Sequence, residues 1–287
     1  MRLILLTTLT MIAFAANSVL NRMALVDGGI DPAAFGAFRL IAGAAILWLL
    51  VMLTGGGPIR GAADWRAAVA LFAYMFGFSF AYLALDAGIG ALILFGMVQI
   101  TMFVGALGGG ERPPARRWIG AGIAFAGLTW LLWPGGTVNI SLIHAAYMCV
   151  AGIGWGLYSL LGRSASDPLR ATAANFMMAV PFGVALALVL SADQLAEITG
   201  RGLVLAGLSG AVTSGLGYAL WYRVLPHLSA SVAAVAQLSV PVIAMAAGVV
   251  FLAEPLGAGL ALPALLVLGG VAISVLPRQK AISSKGS

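Results

Sequence analysis

A set of polar and aromatic side chains stands inside long apolar stretches of this sequence, where these residues could form a binding surface. If the stretches cross a membrane, each polar group among them is costly unless it faces a cavity or another polar group. The candidates for a substrate-binding cavity are Asn17, Arg39, Phe78, Tyr82, Gln99, Trp155, Tyr158, Asn175, Tyr218, Trp221 and Gln237.

Two amides and one guanidinium are the most informative polar groups. Gln99 and Gln237 both lie well inside apolar stretches, and an amide can both donate hydrogen bonds to a polar ligand and accept them from it. The alternative is that each amide only bonds to a neighbouring helix. Arg39 is the only basic residue inside an apolar stretch. It is either a counter-charge for a substrate carboxylate or a side chain that snorkels to the membrane surface.

The aromatic candidates occur at helical spacings. Tyr74, Phe78 and Tyr82 follow one another at intervals of four residues and therefore form one stripe along a helix. Two further groups share a helix face or cluster: Trp155 with Tyr158, and Tyr218 with Trp221 and Tyr222. Such rings suit a path for organic substrates because they combine apolar area with a hydroxyl or indole donor. The alternative is a belt of aromatic residues at the membrane surface.

The positions of the acidic residues bear on the energy source that the chain would use if it were a carrier. The nine Asp and Glu residues all fall between apolar stretches or at their ends. Carriers driven by protons or sodium usually keep an acid inside the membrane, so we expect facilitated movement down a gradient. The chain lacks a Walker motif, so ATP is not the expected energy source. We predict no catalytic residue, no cofactor and no metal site.

Two other classes of membrane protein are alternatives. Gly207–Gly210 matches the G-x-S-G pattern of intramembrane serine proteases, with Ser209 as nucleophile and His227 as base. His227 lies about five helical turns further along the chain, which argues against such a pair. A channel is the second alternative, although neither a filter nor a ring of charges is evident.

The composition is that of a polytopic membrane protein. Hydrophobic residues make up 62% of the chain and charged residues 8%, against about 25% charged residues in soluble domains. A membrane-spanning helix needs about 20 apolar residues. Ten such runs can be delimited, at 3–25, 33–54, 65–86, 89–109, 116–133, 141–162, 170–190, 202–225, 229–252 and 256–276. The net charge of +6 resides in the gaps between runs rather than in a basic patch, which excludes nucleic-acid binding.

The positions of the basic residues predict the orientation of the ten runs. If the N-terminus is cytoplasmic, all of the 15 Lys and Arg residues except Arg22, Arg39 and Arg201 lie in cytoplasmic segments. Cytoplasmic loops of membrane proteins carry such an excess of positive charge. We therefore predict ten crossings with both termini in the cytoplasm.

The chain also contains an internal repeat. The segment from Glu111 to Pro134 resembles the segment from Glu254 to Pro277, with the glutamate, a glycine and the final proline in the same register. We therefore divide a single transmembrane domain, 1–287, into a first repeat at 1–135 and a second at 136–277, followed by a basic cytoplasmic tail at 278–287. Because each repeat has five crossings, the second repeat is inverted, an arrangement typical of secondary transporters.

Several short motifs extend this likeness to a known family. They are Asn17-Ser18, Phe38-Arg39, Tyr82–Leu85, Gly108–Pro113, Trp155–Tyr158, Trp221–Arg223 and Phe251–Pro255. Together and in this order they resemble the EamA type of the drug/metabolite transporter superfamily, over nearly the whole chain. Within that superfamily the chain is most similar to bacterial amino-acid exporters, including the aromatic amino-acid exporter branch. It departs from many relatives at Ala15-Ala16, where they carry a tryptophan.

The resemblance implies a ten-helix carrier with two inverted five-helix repeats around a central cavity. It would reside in the bacterial inner membrane and export aromatic and other neutral amino acids, or similar small metabolites, by alternating access. A drug or other metabolite is the alternative substrate. Pro181 and Pro241 interrupt two of the runs and are candidate hinges or kinks. The expected partners are the substrate and the lipid bilayer, and the carrier is a monomer or a homodimer.

Overall fold

The computed structural model describes residues 1–26, 29–55, 57–59, 61–110, 112–133, 140–162, 165–228 and 230–275, with the side chains of 230–235 left out. The described residues are almost entirely helical and form no strand. The helices are α1 (Arg2–Val26), α2 (Pro32–Leu53), α3 (Trp65–Ala81), α4 (Ala87–Gly108), α5 (Ala115–Leu131), α6 (Leu142–Gly162), α7 (Pro168–Ser191), α8 (Gly200–Leu208), α9 (Gly217–Val224), α10 (Ala230–Leu252) and α11 (Ala258–Val275).

A π-helix, Ser209–Leu216, joins α8 to α9, so that one continuous rod runs from Gly200 to His227. Each of the ten predicted runs therefore contains one helical rod. Six of the rods are long and apolar enough to cross a membrane, and three shorter ones are also apolar. The all-helical membrane class is thus confirmed. Glu111, Pro134 and Pro277, which mark the predicted repeat, and the tail at 278–287 lie outside the described residues.

Acidic residues begin three of the helices. Asp31 accepts hydrogen bonds from two backbone N–H groups in the first turn of α2. Asp64 and Asp167 do the same, through one N–H each, at α3 and α7. Pro32 and Pro168 follow two of these caps, and proline suits a first helical position because its missing N–H would have no partner there. Three of the acidic residues between the apolar runs therefore start helices.

Two long-range hydrogen bonds, each involving the segment before a helix, mark the two ends of the bundle. At one end, which we call the Arg22 end, the Thr199 backbone N–H before α8 donates to Gly29 O before α2, at 2.9 Å. At the opposite end, the Asp64 end, the Asp64 backbone N–H donates to Asn175 Oδ1 of α7 at 2.9 Å. Helices therefore begin and end alternately at the two ends, as expected of an up-and-down bundle.

Glycines allow two pairs of helices to approach at backbone distance. A Cβ on Gly154 of α6 would lie 2.6 Å from the Ala70 carbonyl oxygen of α3, and one on Gly77 of α3 would lie 2.7 Å from the Tyr147 carbonyl oxygen of α6. Gly120 of α5 and Gly270 of α11 oppose each other in the same way. Small residues at such contacts are typical of membrane helix packing, and the α3–α6 contact sets the positions of the aromatic residues described next.

Candidate functional site

A buried network of amides and hydroxyls joins α1 to the π-helix. Asn17 Oδ1 accepts hydrogen bonds from Ser209 Oγ at 2.6 Å and from Thr213 Oγ1 at 3.0 Å. One turn further along α1, Asn21 Nδ2 donates to the Asn17 carbonyl oxygen at 2.8 Å and to Ser209 Oγ at 3.3 Å. Ser79 Oγ of α3 donates to Asn21 Oδ1 at 3.3 Å. These side chains are buried, so their mutual hydrogen bonds offset the cost of removing them from water.

Arg39 lies at the edge of this network and is completely buried. Its Nε donates to Ser214 Oγ of the π-helix, and its Nη2 donates to the Tyr74 hydroxyl of α3, both at 3.1 Å. The guanidinium also stands over the rings of Tyr74 and Phe78, at 5.3 and 5.1 Å from their centroids, an attractive arrangement for a cation. The side chain therefore points into the bundle and does not snorkel to the surface.

Close packing between α2 and the π-helix brings Ser214 to Arg39. A Cβ on Gly210 would collide with the Arg39 carbonyl oxygen, so only glycine allows the two backbones to approach this closely. The i→i+5 bonding of a π-helix also changes which side chains share a face, and such segments occur frequently at functional sites. The sequence reasoning missed this segment, because apolar periodicity does not distinguish a π-helix from an α-helix.

Aromatic rings surround the Arg39 guanidinium and the network on the α6 side. The Trp155 ring lies 5.0 Å from that of Tyr74, 4.9 Å from that of Tyr218 and 5.7 Å from that of Tyr158, between centroids. Tyr158 and Tyr218 are buried. These rings therefore form an interior cluster rather than a belt facing lipid headgroups.

Two phenylalanines complete the cluster and were not among the predicted site residues. Phe14 of α1 contacts Trp155, Tyr218 and Trp221, at 6.3, 5.8 and 6.1 Å between ring centroids. Phe176 of α7 lies 5.9 Å from Tyr218. The candidate rings were selected because they recur at helical spacings, and Phe14 and Phe176 have no aromatic neighbour at such a spacing. Their only sequence signal is the occurrence of an aromatic residue one turn before Asn17 and next to Asn175, two of the predicted residues.

Two buried polar atoms in this region have no hydrogen-bond partner within the described structure. They are Arg39 Nη1 and the Tyr218 hydroxyl. Tyr218 interacts electrostatically with both Arg39 and Tyr74, so the two atoms belong to one neighbourhood. Unpartnered buried donors are rare in folded proteins and call for a specific explanation.

We call the region bounded by Asn17, Arg39, Tyr74, Trp155 and Tyr218 the central cluster.

Several predicted residues lie outside the central cluster. Gln99 Nε2 of α4 donates to Ser274 Oγ of α11 at 3.2 Å, so this amide forms a hydrogen bond to another helix. Gln237 is half-buried on α10 and contributes no hydrogen bond to the cluster. Asn175 bonds to Asp64 near the end of the bundle. The sequence-predicted set therefore includes both central residues and residues that join helices.

Three further predicted residues, Tyr82, Pro181 and Pro241, also lie away from the central cluster. Tyr82 is completely buried next to Phe78, and its hydroxyl donates to the Ala87 carbonyl oxygen at 3.1 Å. Pro181 and Pro241 lie in the interiors of α7 and α10, where each removes a backbone N–H donor. Tyr82 thus lies between the central cluster and the Arg22 end.

An ion-pair network closes the Arg22 end. Arg22 lies 3.4 Å from Glu254 and 3.6 Å from Asp86, between nitrogen and oxygen atoms. The Ala87 backbone N–H, at the start of α4, donates to both Glu254 carboxylate oxygens, at 3.0 and 2.9 Å. Burial raises the pKa of Glu254 above its usual value, because lost hydration outweighs the bond from Ala87 and the charge of Arg22. This network holds α1, α4 and the loop after α10 together.

The geometry does not support a serine protease. Ser209 Oγ is buried and donates to Asn17 Oδ1. His227 is exposed at the end of the rod, with its Nδ1 3.2 Å from the Arg223 carbonyl oxygen. Eighteen residues of helix separate the two, about 27 Å at 1.5 Å per residue, so His227 cannot act as a base for Ser209.

Comparison with known proteins finds similarity to a family of transporters. The profile of the EamA-like transporter family matches residues 142–276. Uncharacterized protein PA1977 of Pseudomonas aeruginosa is 46% identical over 288 residues, covering 100% of this chain and 99% of that protein. Uncharacterized transporter YwfM of Bacillus subtilis is 29% identical over 266 residues, 90% of this chain and 89% of that protein. A crystal structure with a TM-score of 0.66 and 20% identity shares the fold over 93% of this chain and 98% of its own. Residues 142–276 therefore match the EamA-like transporter family, and the long apolar helices are those of a multi-pass membrane protein.

Proposed function

We propose that this protein is a transporter of the EamA-like family, which exports aromatic and other neutral amino acids, or similar small metabolites, across the bacterial inner membrane by alternating access. The observation that carries the proposal is the central cluster, a buried group of polar and aromatic side chains surrounded by apolar helices. Its residues come from α1, α2 and α3 on one side and from α6, the π-helix and α9 on the other. A solute bound there would contact both predicted repeats.

Ten crossings in two inverted repeats are part of this proposal. The supporting observations are the ten helical rods, the excess of basic residues in alternate loops, and the packing of α5 against α11. These two helices would be equivalent in the two repeats, and they meet through Gly120 and Gly270. Equivalent helices that contact each other fit a pseudo-twofold axis passing between them.

The positions of the carboxylates support facilitated transport. In the part of the chain that the structure describes, Asp and Glu residues occupy loops, caps and helix ends, and none bonds to the central cluster. An acid that couples ion and substrate movement would be expected beside the substrate. Transport should therefore proceed in proteoliposomes without a proton or sodium gradient.

Counterflow in proteoliposomes tests the proposal. Vesicles loaded with unlabelled phenylalanine should accumulate labelled phenylalanine transiently, in a saturable manner, whereas purines and cationic drugs should not exchange. Trp155→Ala should abolish exchange, because it removes a ring at the middle of the cluster. Trp130→Ala is the matched control, since Trp130 is exposed on α5. Exchange of purines or drugs in place of amino acids would favour the alternative substrate class.

A further inference from the structure

We infer that the central cluster binds its ligand through a carboxylate on Arg39 and that the ligand's ammonium group is not needed for recognition. The ligand class is thus an organic monoanion with a flat, apolar body, of which an amino acid is only one member. This inference rests on the proposed carrier function for its location, but it makes a separate statement about charge.

The donors available at Arg39 fit a carboxylate. A guanidinium presents N–H donors in a planar fork and matches a carboxylate with two parallel bonds. Nε and Nη2 of Arg39 already donate to Ser214 and Tyr74, whereas Nη1 has no partner. The Tyr218 hydroxyl is a second buried donor without a partner. A carboxylate has two oxygens and could accept a hydrogen bond from each of these groups.

The charge of the cluster favours an anion. Among the described residues, Arg22, Arg66 and Arg170 form ion pairs with carboxylates, and all three lie near the ends of the bundle. Arg39 is fully buried and has no acidic partner within ion-pair distance in the described ranges. A buried unpaired charge is strongly unfavourable, so a monoanion that neutralises it is stabilised there, and an organic cation is repelled.

The surroundings also explain why an ammonium group would add little. Within the described structure, the central cluster offers it amide and hydroxyl oxygens and the faces of aromatic rings, and no carboxylate. The Asn17 amide oxygen already accepts bonds from Ser209 and Thr213. The rings of Phe14 and Trp155 instead suit an apolar body, which distinguishes an organic carboxylate from a small inorganic anion.

Three probes of one shape test the inference with the full-length protein in lipid nanodiscs. They are 3-phenylpropionate, which lacks the amine, phenylalanine, which has both groups, and 2-phenylethylamine, which lacks the carboxylate. Ligand binding raises thermal stability. We expect the first two to stabilise the protein at similar concentrations and the amine to require a concentration at least about tenfold higher. Equal stabilisation by the amine, or stabilisation by phenylalanine but not by phenylpropionate, would overturn the inference.

Variants and a salt control separate the remaining outcomes. Arg39→Gln should lose phenylpropionate binding and Arg39→Lys should keep part of it, while Tyr218→Phe, which removes only the hydroxyl group, should weaken it. Unchanged binding in Arg39→Gln or Tyr218→Phe would contradict the assignment, as would equal stabilisation by sodium chloride alone. If phenylpropionate and phenylalanine bind but no counterflow is observed, the proposed carrier function is rejected. The proposed anion site at Arg39 is then still supported.

Discussion

The backbone contact between α3 and α6 gives a sharp prediction for Gly154→Ala. The added methyl group would lie 2.6 Å from the Ala70 carbonyl oxygen and 2.7 Å from the Tyr74 backbone nitrogen. Both obstacles are backbone atoms, which cannot rotate away as the end of a side chain can. Because ordinary contact begins at 3.4 Å, the two helices must separate by about 0.8 Å.

Separation of that size has two expected effects. Overpacking a close contact costs about 1–3 kcal/mol of stability. It also displaces Tyr74, whose hydroxyl accepts the 3.1 Å hydrogen bond from Arg39 Nη2, and a displacement of about 0.8 Å is enough to break that bond. That bond helps to hold the Arg39 guanidinium in place for the ligand. If the free energy of one hydrogen bond is lost from this positioning, ligand binding becomes about two- to tenfold weaker.

Gly122→Ala provides the matched control. Gly122 lies in α5, and a Cβ added to it would have no atom within 4 Å. Both substitutions add one methyl group to a helix, so the difference between the two variants measures the overpacking alone. Thermal unfolding in detergent gives the stability, and phenylalanine counterflow gives the function. If the two variants unfold at the same temperature and transport equally well, the close approach of α3 and α6 does not position the cluster.

Three further predictions concern polar groups away from that contact. Because burial raises the pKa of Glu254, its contribution to stability should be complete below the usual value of 4.5 and should be lost as the pH rises through the raised pKa. Thermal unfolding against pH measures this, and Glu254→Gln should remove the dependence. Asn17→Leu should cost about 1–3 kcal/mol in unfolding experiments, because it leaves the hydroxyls of Ser209 and Thr213 without their shared acceptor. Gln99→Leu should cost only about 0.6 kcal/mol and keep normal counterflow; lost transport at normal expression would instead place Gln99 in the cavity.

Much of the helical framework could be predicted from the sequence because apolar length, acidic caps and prolines are local signals. Asp31, Asp64 and Asp167 start helices in the structure. The end of the third run was less well predicted, since α3 stops at Ala81 and a turn leads to α4. The residues from Tyr82 to Leu85 are apolar, and hydropathy alone cannot separate an apolar turn from one more turn of helix.

The central cluster was predicted only in part, for reasons of long-range geometry. Asn17, Arg39 and Trp155 stood out because they are polar or amphipathic within apolar runs. Their partners could not be identified in this way, because the hydrogen bond between Asn17 and Ser209 joins residues 192 positions apart. The π-helix that presents Ser209 depends on packing against α1 and α2 rather than on a local motif. Sequence patterns therefore indicate which residues are unusual, but tertiary packing determines which of them meet.

The buried charge of Arg39 has an electrical consequence. A guanidinium is a cation, so the protein carries a positive charge in its interior at Arg39. Moving one elementary charge through the whole membrane potential involves about 2.3 kcal/mol per 100 mV. Any displacement of α2 along the membrane normal is therefore sensitive to voltage, and a carboxylate bound at the proposed anion site would cancel this sensitivity.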